Sequence, residues 1–288
     1  MGILLSLLTA VFQTAQDVTS KGALRSYSPV VVLFSLSAFG LPTLLLGLTF
    51  GMPTVSNVSW WLFLAFLCAL CDSLGLFFYV KSMSLGELSQ VIPLASIGPV
   101  IAMFFALFWH GEVLSKAGLL GVLLIVIGTY LVNLNLGEDG WLKPFQSIIT
   151  ERAPRYMLLA CLVFAVAWNV HKAGLAYSNA VQWAVACFVF RIIQTLPFAL
   201  VDYRKHEDRV RSSWGLLFLI GTFSALTFLT GIFALNFTMI GYVSSIKRLC
   251  ILLSIVAGYF IFHETNFRQR FLGGICMVAG VVVIALLR

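Results

Sequence analysis

Ten times along this chain, an apolar run long enough to cross a lipid bilayer alternates with a polar connection that is usually short. A transmembrane helix needs about 20 such residues. By that measure the spans run near 2–21, 29–50, 60–80, 87–109, 117–136, 156–177, 181–201, 214–236, 242–262 and 271–287. Residues are 60% hydrophobic and only 10% charged, against about 25% charged in ordinary soluble domains. The expected fold class is therefore an all-α integral membrane protein. The net charge of +7 reads as membrane topology and gives no reason to expect nucleic acid. The first span lacks a basic leader and a small-residue cleavage site, so it reads as a retained helix.

The longest connection, 137–155, separates two sets of five spans. The first domain is expected over 2–136 and the second over 156–287. The halves echo each other. Glu112, Gly121 and Gly128 recur as Glu264, Gly273 and Gly280 at a constant offset of 152. Upstream, Phe78, Gly86 and Ser89 recur as Phe233, Gly241 and Ser244 at an offset of 155. A kink at Pro93 or Pro99 would absorb the three-residue difference. Because five is odd, the second set enters the membrane in the opposite sense, the inverted repeat common among alternating-access transporters.

Basic residues orient the spans. One side collects Lys21, Arg25, Lys81, Lys143, Arg152, Arg155, Arg204, Lys205, Arg209, Arg211, Arg268 and Arg270, and the other only Lys116 and Arg288. The positive-inside rule makes the first side cytoplasmic and places both termini outside. A bacterial inner membrane is the expected location. Trp60, Trp61, Trp109 and Trp214 fall near span ends, as interfacial anchors do.

Four basic residues, Lys172, Arg191, Lys247 and Arg248, are left inside spans, with Asp72 and Asp17 as the intramembrane acids. Each charge at a helix centre costs about 2.5–3.5 kcal/mol, so four bases cost on the order of 10 kcal/mol. If each acid neutralises one base, two positive charges remain. A positively lined polar site favours a phosphate or carboxylate. Lys247 and Arg248 would bind that group, with Ser244 completing the oxygen contacts. Lys172 and Arg191 would shape the field, and Trp168 and Tyr242 would line the site. Asp72 or Asp17 would carry a coupling proton. The six cysteines all lie in apolar runs. Cys68 and Cys71 form a C-x-x-C with no second pair and no histidine close in sequence, so neither a metal nor a cofactor is expected.

The motifs Pro99…Gly111-Glu112…Gly118-x-x-Gly121…Gly128 and Gly241-Tyr242-Val243-x-x-Ile246-Lys247-Arg248…Glu264…Arg270-x-x-Gly273…Gly280 resemble those of the drug/metabolite transporter superfamily, in its two-EamA-domain form. The resemblance covers nearly the whole chain and implies ten helices in two five-helix repeats. Lys247 and Arg248 look like the ninth-helix Lys-Arg pair with which plastid triose-phosphate translocators bind substrate phosphate. That similarity implies a small anionic metabolite. No match to the other substrate residues of those carriers is found. "SSIKR" is a poor match to the "GALNK"-like segment of nucleotide-sugar carriers. Glu112 and Glu264 occupy the family's glutamate position, and their symmetry suggests a structural task at helix N–H groups.

Two rivals stand beside an anion transporter. An amino-acid or drug exporter of the same superfamily would use Lys247 and Arg248 structurally, and an accessory membrane subunit would transport nothing. No G-x-S-x-G, H-E-x-x-H or P-loop pattern occurs, so an enzyme is not expected. The expected partners are a small-molecule substrate and the lipid bilayer, and a homodimer fits the same reading.

Overall fold

A computed structural model describes residues 1–23, 27–47, 55–85, 97–132, 151–205, 214–250, 252–253 and 267–287. The elements are α1 (Gly2–Ala23), α2 (Pro29–Ala38), α3 (Leu41–Gly47), α4 (Val58–Leu85), α5 (Gly98–His110), α6 (Lys116–Val132), α7 (Arg152–Gly174), α8 (Ala180–Lys205), α9 (Trp214–Leu235), α10 (Ile240–Lys247) and α11 (Phe267–Leu287). Each of the ten expected spans contains helix, and the fold is an all-helical membrane protein. On α4, exposed Phe63, Phe66, Leu70, Leu74 and Phe77 follow helical spacing beside buried Leu64, Ala65, Cys68 and Ala69. A helix apolar on both its packed and its open face belongs in lipid. Trp60, Trp109 and Trp214 are exposed near helix ends.

Among the described residues, two spans, the second and the ninth, depart from the expectation of one uniform helix each. The second divides into α2 and α3 around Phe39 and Gly40. A Cβ at Gly40 would lie 2.6 Å from the Gly221 carbonyl and 2.8 Å from a Phe188 ring carbon. The break thus lets two backbones meet where a side chain would hold them apart. The fourth span is described only from α5 onward. There Pro99 sits in the first turn, where its missing N–H costs nothing, so it kinks no helix interior. In the ninth span Arg248 keeps right-handed helical dihedrals (φ −63°, ψ −15°), but its N–H tightens onto the Ser245 carbonyl at 3.0 Å before helix continues at 249–250. Gly86, Ser89, Pro93 and Glu264 lie outside the described residues.

The described helices form two compact units, each drawing on both halves of the sequence. The first comprises Met1–Ser73 and Val170–Phe237. Here α2 and α3 pack on α8 and α9, and α1 packs on α9. Its core includes Leu44, Ala184, Phe188 and Ala225, with a second cluster of Tyr27, Val32, Leu36, Leu217 and Ile220.

The second unit comprises Leu74–Asn169 and Thr238–Arg288. Its main feature is the crossing of α6 and α11. A Cβ at Gly121 would lie 2.8 Å from the Gly280 carbonyl, and one at Gly280 would lie 2.6 Å from the Gly121 carbonyl. Gly128 stands in the same relation to the Gly273 carbonyl, at 2.6 Å. The four glycines that repeat at constant offset are therefore the points where the fifth and tenth spans touch backbone to backbone, as small residues do in membrane helix pairs.

Candidate functional site

In the second unit, the ninth span is anchored at its start by a residue from the first half of the chain. Gly111 closes α5 in a left-handed conformation (φ 64°) that an L side chain resists. That turn delivers Glu112 to the start of α10. The Glu112 carboxylate, buried, accepts the Ile240 N–H at 2.9 Å. A negative charge there satisfies a helix-start donor and complements the positive end of the helix. The helix it serves belongs to the second half of the chain.

From that anchor α10 runs through buried Tyr242, Ser244 and Ser245 to half-buried Lys247 and Arg248. The Lys247 ammonium sits over the Trp168 ring, 5.5 Å from its centroid, a cation–π contact. Arg248 turns the other way. Its Nη2 would lie 2.5 Å from a Cβ at Gly98, so the guanidinium rests on the bare backbone at the start of α5. That helix start has no side-chain cap, since Ile97 stands at the capping position. Tyr242 packs its hydroxyl against Gly118, where any side chain would collide with it. The Ser244 hydroxyl donates to the Gly241 carbonyl at 3.2 Å, within its own helix. Ser245, fully buried one residue on, finds no hydrogen-bond partner for its hydroxyl among the described residues.

Lys172, Arg191, Asp72 and Asp17 belong to the first unit. Arg191 is only 6% exposed and stacks over Phe188, with its Cζ 5.0 Å from the ring centroid. Among the described residues it enters no ion pair. Asp17 accepts from Gln13 Nε2 at 2.8 Å. Asp72 is buried and faces His171, with Nε2 to Oδ2 at 3.4 Å. Lys172 follows His171 in the last turn of α7 and is half-buried.

Sequence reasoning paired the acids with lysine and arginine and saw His171 beside Lys172 as a possible base, without setting it against Asp72. It also weighed Cys68 only against Cys71. In the structure Cys68 meets His171 instead, with Sγ to Nδ1 at 3.0 Å, and Cys187 completes a group whose ligand atoms lie within 4.8 Å of one another. His171 was visible in the sequence as a histidine inside an apolar span. Its cysteine partners come from two other helices, so no local spacing marks them.

Two repeats of five helices with cations held inside the spans define a class, the multi-pass membrane transporter built on an inverted repeat. The EamA-like transporter family model matches residues 1–134 and again 154–286. The chain belongs to that family, as a two-repeat member of the drug/metabolite transporter superfamily. No curated protein sequence matches it. A solved crystal structure is similar with a TM-score of 0.78 at 14% identity, covering 99% of this chain and 96% of the other. At that identity the likeness shows the fold alone.

Proposed function

We propose that this transporter moves a small organic anion, bearing a phosphate or carboxylate, by alternating access. The observation that carries the reading is the placement of Arg248. Its guanidinium lies on the uncapped N-terminal end of α5, at Gly98. A helix start carries about half a positive charge, so a cation beside it is repelled. An anion at the same place would pair with the planar guanidinium fork and relieve that repulsion. The helix tightens at this residue, where the Arg248 N–H bonds the Ser245 carbonyl three residues back. Lys247, held over Trp168, supplies a second and more mobile charge.

Purified protein is to be assayed for thermal stability against phosphorylated metabolites, carboxylates, amino acids and neutral or cationic drugs. A ligand at about 100 times its dissociation constant adds roughly 2.7 kcal/mol of stability. Stabilisation by one anion class, lost in Lys247→Ala and Arg248→Ala, is the expected result. No effect of any anion, or one that both variants retain, refutes the reading and leaves an amino-acid or drug exporter with structural cations.

A further inference from the structure

The first unit holds a second polar cluster, separate in chemistry from the cations. Cys68 on α4, His171 near the end of α7 and Cys187 on α8 present two sulfurs and a ring nitrogen within 4.8 Å of one another. All three are buried, with exposures of 0%, 4% and 0%. Both cysteines are thiols, outside any disulfide.

The hydrogen bonds around His171 fix how the ring is used. The Trp183 indole N–H donates to Nδ1 at 3.0 Å. An indole nitrogen can only donate, so Nδ1 carries the lone pair and Nε2 the proton. Nε2 lies 3.4 Å from Asp72 Oδ2. The carboxylate thus orients the ring and leaves Nδ1 directed toward Cys68. Metal-ligating histidines are held in the same way, with the second ring N–H given to a carboxylate or carbonyl.

We infer that Cys68, Cys187 and His171 Nδ1 form a binding site for a divalent thiophilic cation, Zn²⁺ in chemical class. Two thiolates and an imidazole favour zinc-like ions over Mg²⁺ or Ca²⁺, which require oxygen. Charge selects the oxidation state. One divalent ion replaces two thiol protons, so M²⁺ enters, two Cys S–H bonds give up H⁺, two M–S bonds and one M–N bond form, and the net charge of the cluster is unchanged. Cu⁺ held by both thiolates would leave one uncompensated negative charge buried in an apolar span, at a heavy desolvation cost. It keeps the balance only if one sulfur stays protonated, so two protons released per ion mark the divalent case. Metal binding at Nδ1 requires the Trp183 N–H to give up this hydrogen bond. The fourth coordination position is left to water or a small ligand.

The ligands stand toward one end of their helices. His171 is within a turn of the end of α7 at Gly174, and Cys187 is about 10 Å of helix from the start of α8 at Ala180. At that same end the Ser56 N–H bonds the Tyr177 carbonyl at 3.0 Å, joining the start of α4 to the α7–α8 turn. A bound ion would clip α4, α7 and α8 together below that turn.

The test uses full-length protein, reduced and stripped with a chelator, titrated with Co²⁺ as the spectroscopic probe. The expected result is one equivalent bound with a thiolate-to-cobalt charge-transfer band, release of two protons per ion, and bleaching on Zn²⁺ addition. Cys68→Ser and Cys187→Ser should abolish the band. Asp72→Asn should weaken binding about 10–100-fold, as the loss of a supporting partner does. Cys71→Ser and Cys276→Ser should leave it unchanged. Should the ligand variants fail to fold, the wild type supplies a second measurement: Zn²⁺ should protect Cys68 and Cys187 from alkylation, mapped by mass spectrometry and reversed by chelator. Absence of both the band and the protection in reduced wild type overturns the inference. So does an undiminished band in Cys68→Ser and Cys187→Ser.

Discussion

Alanine at Gly121 tests whether the α6–α11 crossing is as close as its repeated glycines require. Its methyl would lie 2.8 Å from the Gly280 carbonyl, and the reciprocal methyl 2.6 Å from the Gly121 carbonyl. The carbonyls are backbone and cannot swing aside, while the Ile284 and Ile125 side chains crowd the same two positions at 2.6 and 2.7 Å. Restoring an ordinary contact of 3.4 Å requires the helices to part by about 0.6–0.8 Å. A gap of that size forfeits a quarter to a half of each dispersion contact. With about 30 atom pairs at the crossing, each worth 0.1–0.2 kcal/mol, the loss comes to about 1–2 kcal/mol. Gly121→Ala and Gly280→Ala should each show it in reversible unfolding from detergent micelles. The double variant should lose less than the sum of the two, because the retreat forced by one methyl makes room for the other, with a coupling on the order of 1 kcal/mol. Strict additivity, or a neutral Gly121→Ala, would refute a crossing set by backbone contact.

Further outcomes follow from the polar groups. Glu112→Ala strands the Ile240 N–H at the start of α10 and should cost about 1–3 kcal/mol of unfolding free energy, the penalty of a buried unsatisfied donor; Glu112→Gln should recover part of it. Arg191→Met removes a buried cation that has no ion pair among the described residues. It should leave stability unchanged or raise it by about 1–4 kcal/mol while lowering uptake in proteoliposomes, and a variant that transports normally would assign Arg191 to structure. Gly98→Ala displaces only the flexible end of Arg248, so it should fold normally yet bind the anion at least tenfold more weakly, as read by ligand-induced thermal shift.

Much of the architecture is legible in the sequence because the bilayer imposes a length and the repeat imposes a spacing. The apolar runs locate the helices, and the offset of 152 picks out the glycines that touch across α6 and α11. Helix breaks are harder to read. The residues on both sides of Gly40 are apolar, so hydropathy runs through a point where the backbone departs from the helix. The signal present was local, a glycine followed by Pro42 at the start of α3. The cations at 247 and 248 are plain in the sequence, but not that one would stack on Trp168 while the other rests on Gly98. Adjacent residues on a helix diverge by about 100°, and the partners come from distant segments. Cys68 and His171 are 103 residues apart, so no window on the chain reveals them as neighbours.

The glycine crossing also bears on how such a chain came to exist. On α6 and α11, Gly121 meets Gly280 and Gly128 meets Gly273, so each glycine touches the repeat counterpart of the other glycine on its own helix. Reciprocal contacts of this kind are what two identical subunits make about a two-fold axis. The seam between the fifth and tenth spans therefore has the form of a homodimer interface, the form that two fused copies of a five-helix ancestor would leave. Such an ancestor would have needed to insert both ways up, and once fused, each half was free to acquire its own side chains while the seam stayed closed to anything larger than hydrogen.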